Sequence, residues 1–129
     1  MLPDLRTDDD LRTVVHAFYN GLEADPVIGH YFAGLDLEAH LPKMVAFWSS
    51  VVFHTGAYRG RPFDAHAALA GLGPEHFARW LARFHATVDA HFAGEAAERM
   101  KAKAAGIAAI FQMKLGLWSH LTPEAFAGP

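Results

Sequence analysis

Apolar residues recur along this chain at helical spacing, in four long runs separated by glycine and proline. Leu11, Val14, Val15, Phe18 and Leu22 form the first stripe, with Tyr19 on its border. Recurrence at three and four residues marks one buried face of a helix. Ahead of the stripe, Thr7 and the aspartates at 8–10 offer a capping acceptor and acids for the first turn. Asp25-Pro26 ends this run, because the residue before proline is pushed away from helical angles. A short element through Ile28, Tyr31 and Phe32 follows, closed by Gly34. Residues 36–54 read as the second long helix, with Leu41, Met44, Val45, Trp48, Val51 and Val52 in register. Phe47 and Phe53 widen its apolar surface nearly all round, as in a helix buried on most sides. Proline is tolerated in a first helical turn, so Pro42 places the start of this helix a residue or two after Ala39.

Residues 55–62 read as loop, and a short Ala-rich segment closed by Gly71 follows, holding about two helical turns. Gly73-Pro74-Glu75 is a new start signal, with proline at the first helical position and an acid behind it. Phe77, Trp80, Leu81, Phe84, Val88 and Phe92 make the stripe of this third long helix, and Gly94 breaks it. Glu95 to Trp118 reads as the fourth, with Met100, Ile107, Phe111, Met113, Leu115 and Trp118 apolar. Glu95 and Arg99 are spaced as an i, i+4 ion pair. No strand signal, repeat or linker appears. The pattern predicts an all-α single domain over residues 1–129, with four substantial helices, two short ones, and loose termini at 1–7 and 121–129.

Composition narrows the class. Apolar residues make up 52% of the 129, enough for a packed core and too many for a disordered chain. The net charge of -3 gives no electrostatic footprint for nucleic acid. No basic amphipathic helix points to a membrane surface, and the longest apolar stretch, residues 44–53, is too short to span a bilayer. There is no cysteine, which excludes disulfides, thiolate catalysis and zinc-thiolate sites. The acidic N-terminus does not look like a signal peptide, and a cytoplasmic location is expected.

The candidate chemistry lies with histidine and the aromatics. The chain carries 10 Phe, 3 Trp and 3 Tyr, many on the inner stripes of three helices. His66 sits among alanines, and Phe63, His66, Ala67 and Ala70 share a face at helical spacing. Two readings are open. Either a small-residue helix packs tightly with His66 as a hydrogen-bonded core residue, or a flat apolar group with a metal centre approaches the imidazole. Haem is such a group, and histidine is a usual axial ligand for it. Other chemistries fail on spacing. No Glu-x-x-His pair supplies a di-metal bundle, no His-Glu-x-x-His marks a zincin helix, and Gly71-Leu-Gly73-Pro74 is no dinucleotide fingerprint.

An ordered set of motifs then carries a family resemblance. It comprises Phe18-Tyr19, His40-Leu-Pro-Lys-Met44 leading into Phe47-Trp48-Ser-Ser50, Tyr58-Arg-Gly-Arg-Pro62, His66, and His76-Phe-Ala-Arg-Trp80-Leu81. Over about Asp8 to Gln112 the chain resembles the truncated haemoglobins, the third group of that bacterial family. The resemblance implies a shortened globin, a two-over-two helical sandwich that binds haem b and its iron non-covalently. It implies His66 as proximal ligand and Tyr19, His40 and Trp80 on the distal side. Phe32, Met44, Phe47 and Tyr58 resemble pocket residues, and Lys43 a propionate partner. Met44 departs from the family, whose members often carry another apolar residue there. The implied ligands are O₂, CO, NO or peroxide, with an unidentified reductase as partner and a monomer or weak dimer as the working state. Two distal donors would hold O₂ tightly, which favours peroxidase-like chemistry or NO oxidation over oxygen transport. The alternatives are a haem-based gas sensor and a haem-free helical interaction protein.

Overall fold

Four long helices are present in the computed structural model, which describes residues 1–32, 34, 36–58 and 73–114. They are α1 (Asp8–Glu23), α2 (Leu37–Phe53), α3 (Pro74–His91) and α4 (Glu95–Lys114), with a single 3₁₀ turn at Gly29–Tyr31 between the first two. The Ala-rich segment with His66 lies outside the described residues, as do Leu115, Trp118 and the C-terminal tail. Helix α1 packs on α2 and on α3, while α4 packs on α3 and on α2. One helix pair is thus laid over another, an all-α two-over-two sandwich.

The helix starts follow from local chemistry. Thr7 caps α1: its hydroxyl accepts from the Asp10 N–H at 3.2 Å, and the Asp10 carboxylate accepts from the Thr7 N–H at 3.1 Å. This reciprocal pair satisfies two N–H groups that a helix end leaves without partners. Five residues of α1 are buried, Leu11, Val14, Val15, Phe18 and Leu22, the same five as the predicted stripe. At α3, Gly73 is the cap, Pro74 opens the helix, and His76 Nδ1 accepts from the Gly73 N–H at 2.7 Å.

Helix α2 starts earlier than Pro42 predicts. Asp36 caps it, accepting from the Ala39 N–H at 3.3 Å, and Leu37 is its first residue. Pro42 therefore sits in the second turn, where its missing N–H leaves the Glu38 carbonyl without a helical partner. Glu38, Ala39 and Pro42 are all exposed, so water can serve that carbonyl and the helix continues. The other end of α2 closes on His54, which adopts the left-handed conformation at φ 59° and donates its N–H to the Ser49 carbonyl.

The N-terminus is also not loose. Leu5 is buried, the Ala93 N–H donates to the Pro3 carbonyl at 2.9 Å, and Asp4 caps α4. The Asp4 carboxylate accepts from the N–H groups of Ala96 at 3.0 Å and Ala97 at 2.9 Å. Gly94, at φ +144°, has no Cβ to collide with Asp4, which permits this approach. Burial works to raise the Asp4 pKa, but those N–H donors, the Leu5 N–H and the Arg99 charge outweigh it and hold it below the ordinary value.

Aromatic rings fill the centre. Phe84 of α3 is stacked between Trp48 of α2, at 5.1 Å and 21°, and Trp80, at 5.6 Å and 12°. Phe18 of α1 stands edge-on to Phe84 at 4.9 Å and to Trp80 at 5.4 Å. Such offset and edge-to-face pairs contribute about 0.5–1.5 kcal/mol each beyond the area they bury. In α4 the buried face is mostly small, with Ala96, Ala97, Met100, Ala104, Ala108 and Phe111 inside. Met113, one of the apolar residues of this helix, is 53% exposed. The Glu95–Arg99 ion pair forms at 3.7 Å.

Candidate functional site

Where the four helices meet beside this aromatic stack, the packing leaves a cavity. Its cavity volume is about 120 Å³, within a cleft of about 680 Å³ that includes open solvent. Helix α2 supplies one wall through His40, Lys43, Met44, Phe47 and Trp48, whose spacing of three and four residues puts them on one face. Tyr19 of α1, Tyr58, Trp80 of α3, and Ile107 and Phe111 of α4 complete the lining among the described residues. Most of that surface is aromatic or aliphatic. His40 and Lys43 are exposed and sit at the rim.

Tyr19 is held from two sides. Its ring is edge-on to Phe18 at 4.9 Å and to Phe32 at 6.0 Å. Burial pushes its phenol pKa up to about 12, because an apolar environment disfavours the phenolate. The phenol therefore stays a neutral O–H donor across the physiological range. Trp80 is fixed by its stack on Phe84 and by Phe18, and its indole N–H can only donate. Neither donor has a hydrogen-bond partner among the described residues. No side-chain polar atom that is fully enclosed there lacks a partner. Both donors thus keep access to open space, and the cavity is the open space their residues line. The Trp48 N–H and the Tyr58 hydroxyl are likewise without a partner among the described residues, and an apolar cleft lined by such donors is suited to a flat apolar ligand that also presents an acceptor.

Tyr58 is placed by the end of α2. Its backbone N–H donates to Ser50 Oγ at 2.8 Å, and the Thr55 hydroxyl holds the same turn through Ser49 Oγ at 2.9 Å and the Ala57 N–H at 3.3 Å. Its ring stands edge-on to Phe47 at 5.4 Å and 88°. The wall formed by Phe47 and Tyr58 therefore depends on two serines buried or half-buried at the end of a helix.

The structure brings Tyr19, His40, Lys43, Met44, Phe47, Tyr58 and Trp80 together around one cavity. Phe32 is buried but does not line it; it lies behind Tyr19 and supports that ring. His66, the expected iron ligand, lies outside the described residues. Trp48, Ile107 and Phe111 line the cavity although the sequence marked them only as core or stripe residues. Trp48 continues the face of Met44 one turn on, and Phe111 that of Ile107. The helical period was thus the available signal.

Comparison with known proteins agrees with this fold. The family described as bacterial-like globin matches residues 5–112. No curated relative matches the chain. Among solved structures, the group III truncated hemoglobin from Campylobacter jejuni is similar, with a TM-score of 0.78 and 24% identity. The match covers 89% of this chain and 95% of that one, so the two share a fold along nearly their whole length.

Proposed function

The chain belongs to the bacterial-like globin family and is a haem-binding globin; we propose that it holds haem b in the cavity described above, with His66 as proximal ligand and Tyr19 and Trp80 facing the bound diatomic ligand. The observation that carries this reading is a mostly apolar cavity onto which Tyr19 and Trp80 bring donors with no partner among the described residues. Met44, Phe47, Ile107 and Phe111 offer the apolar surface a macrocycle needs. His40 and Lys43, at the rim and without an ion-pair partner among the described residues, suit the propionates. Haem, when bound, supplies an iron that takes O₂, CO, NO or peroxide.

The chain's own part is to hold the ligand. Hydrogen bonds to charged acceptors contribute roughly 1.5–3 kcal/mol each. Each 1.4 kcal/mol is about a factor of ten in an equilibrium constant, so two such donors together would hold an anionic ligand a hundredfold or more tighter than an apolar pocket. Such retention opposes oxygen transport and favours redox or detoxification chemistry. A phenol with its pKa raised to about 12 stays a neutral O–H and gives up its proton poorly. Cleavage of peroxide would need a proton donor, for which exposed His40 at the rim is the candidate. Oxidation of NO by O₂ to nitrate needs no such acid, and it is the reaction the pocket favours, with an electron returned by a reductase.

The test is spectroscopic. Purified protein titrated with haem should develop a Soret band at one equivalent. His66→Ala should lose haem or bind it weakly, and added imidazole should partly restore the spectrum. An unchanged spectrum in His66→Ala would move the proximal role to another histidine. No Soret band in the wild type would leave a haem-free helical protein.

A further inference from the structure

Asp25 is a buried carboxylate that the haem reading does not use. Its side chain has no exposed surface, and it is fully engaged. It accepts from the N–H groups of Val27 at 2.7 Å and Ile28 at 3.1 Å, which close the turn after α1. Across the fold it accepts from Arg79 Nε at 2.7 Å and from Arg83 Nε. Those arginines lie one turn apart on α3, and Trp80 sits between them in sequence. The same junction is close-packed at Gly29, where a Cβ would collide with the carbonyl of Glu23 at the end of α1. One carboxylate therefore joins the end of the helix that carries Tyr19 to the turn of α3 that carries Trp80.

We propose that Asp25 is a positioning residue for the ligand pocket: by fixing α3 against the end of α1, it sets where the Trp80 N–H stands relative to the Tyr19 hydroxyl. This rests on the reading that both donors face a haem ligand. The role needs a charged acceptor. An asparagine at position 25 can still accept from Val27 and Ile28, but its amide cannot match two guanidinium donors as a carboxylate does. Asp25→Asn thus keeps the turn and releases the clamp on α3. A purely structural residue would lower stability and leave the ligand's surroundings alone.

The experiment compares haem-loaded wild type, Trp80→Phe, Asp25→Asn and the double variant. O₂ dissociation is read by stopped flow and the C–O stretching frequency of the CO complex by infrared spectroscopy. Val88→Ala, a core change elsewhere on α3, is the control for lost stability. Asp25→Asn is expected to speed O₂ dissociation by about threefold or more and to move the C–O stretch toward its value in Trp80→Phe. In the Trp80→Phe background it should change neither, and Val88→Ala should change neither at all. Trp80→Phe altering both readouts while Asp25→Asn leaves them at wild type would overturn the positioning role alone. An equal Asp25→Asn effect in the Trp80→Phe background would overturn it too. Wild-type readouts in Trp80→Phe would overturn the pocket reading and this inference with it. If Asp25→Asn does not fold, Arg83→Gln, which removes one of the two arginines, is read by the same criteria.

Discussion

Two polar sites lie close together in this fold and differ in one respect. At Asp25 every strong acceptor direction is matched, by two backbone N–H groups and two arginines. At Tyr19 and Trp80 two donors line a cavity and are matched by nothing among the described residues. Both of these donors keep access to open space, where water or a ligand can complete them. Asp25 is finished by the protein. The donor pair is open to a ligand, the role proposed for it.

The largest effect should come from removing that ligand. A bound group stabilises the native state by mass action, so haem removal should lower the melting temperature markedly in a thermal scan of holo and apo protein. An apo form melting with the holo form would mean that the cavity closes on its own. Next in size is Asp25→Ala, which orphans two N–H groups and two arginines. It should lower the melting temperature by about 10 °C or more. Tyr19→Phe is the opposite case, since it deletes a donor with no protein partner. It should leave the melting temperature within about 2 °C of wild type while O₂ leaves roughly tenfold faster, the equivalent of one ligand hydrogen bond.

The smallest effects are in pH. The Asp4 and Asp25 carboxyls are both held below their ordinary value of 3.8 in the folded state. Their contribution is present above that value and is lost as pH falls through the lowered folded pKa. Urea unfolding should therefore show a loss of stability below about pH 4, smaller in Asp25→Asn. Tyr19 runs the other way. Its folded pKa is raised from 10.0 to about 12, so its contribution is full below 10.0 and is lost as pH rises toward 12. Its hydrogen bond should survive at pH 10, and O₂ dissociation should be no faster there than at neutral pH.

The two sites also differ in how far the sequence revealed them. The stripes of α1 and α3 were plain, since large apolar residues at helical spacing sat between clear caps. The residues around the cavity came from the resemblance and from those stripes. The Asp25 clamp was not legible: its partners stand 54 and 58 residues away, and an aspartate before proline reads as an ordinary turn. The Asp4 cap, reaching 92 and 93 residues along the chain, was hidden for the same reason. Pro42 misled because a missing N–H costs little where the freed carbonyl meets water. In α4 the apolar residues did not by themselves mark the buried face, because the side turned inward is mostly alanine and Met113 is exposed.

The central claim is that the Tyr19 hydroxyl donates to the bound ligand, and the ratio of O₂ to CO dissociation rates in Tyr19→Phe tests it most directly. Bound O₂ carries more negative charge than bound CO, so loss of the donor should raise the O₂ rate roughly tenfold and barely move the CO rate. Equal acceleration of both would indicate a looser pocket, and an O₂ rate within about twofold of wild type would contradict the account.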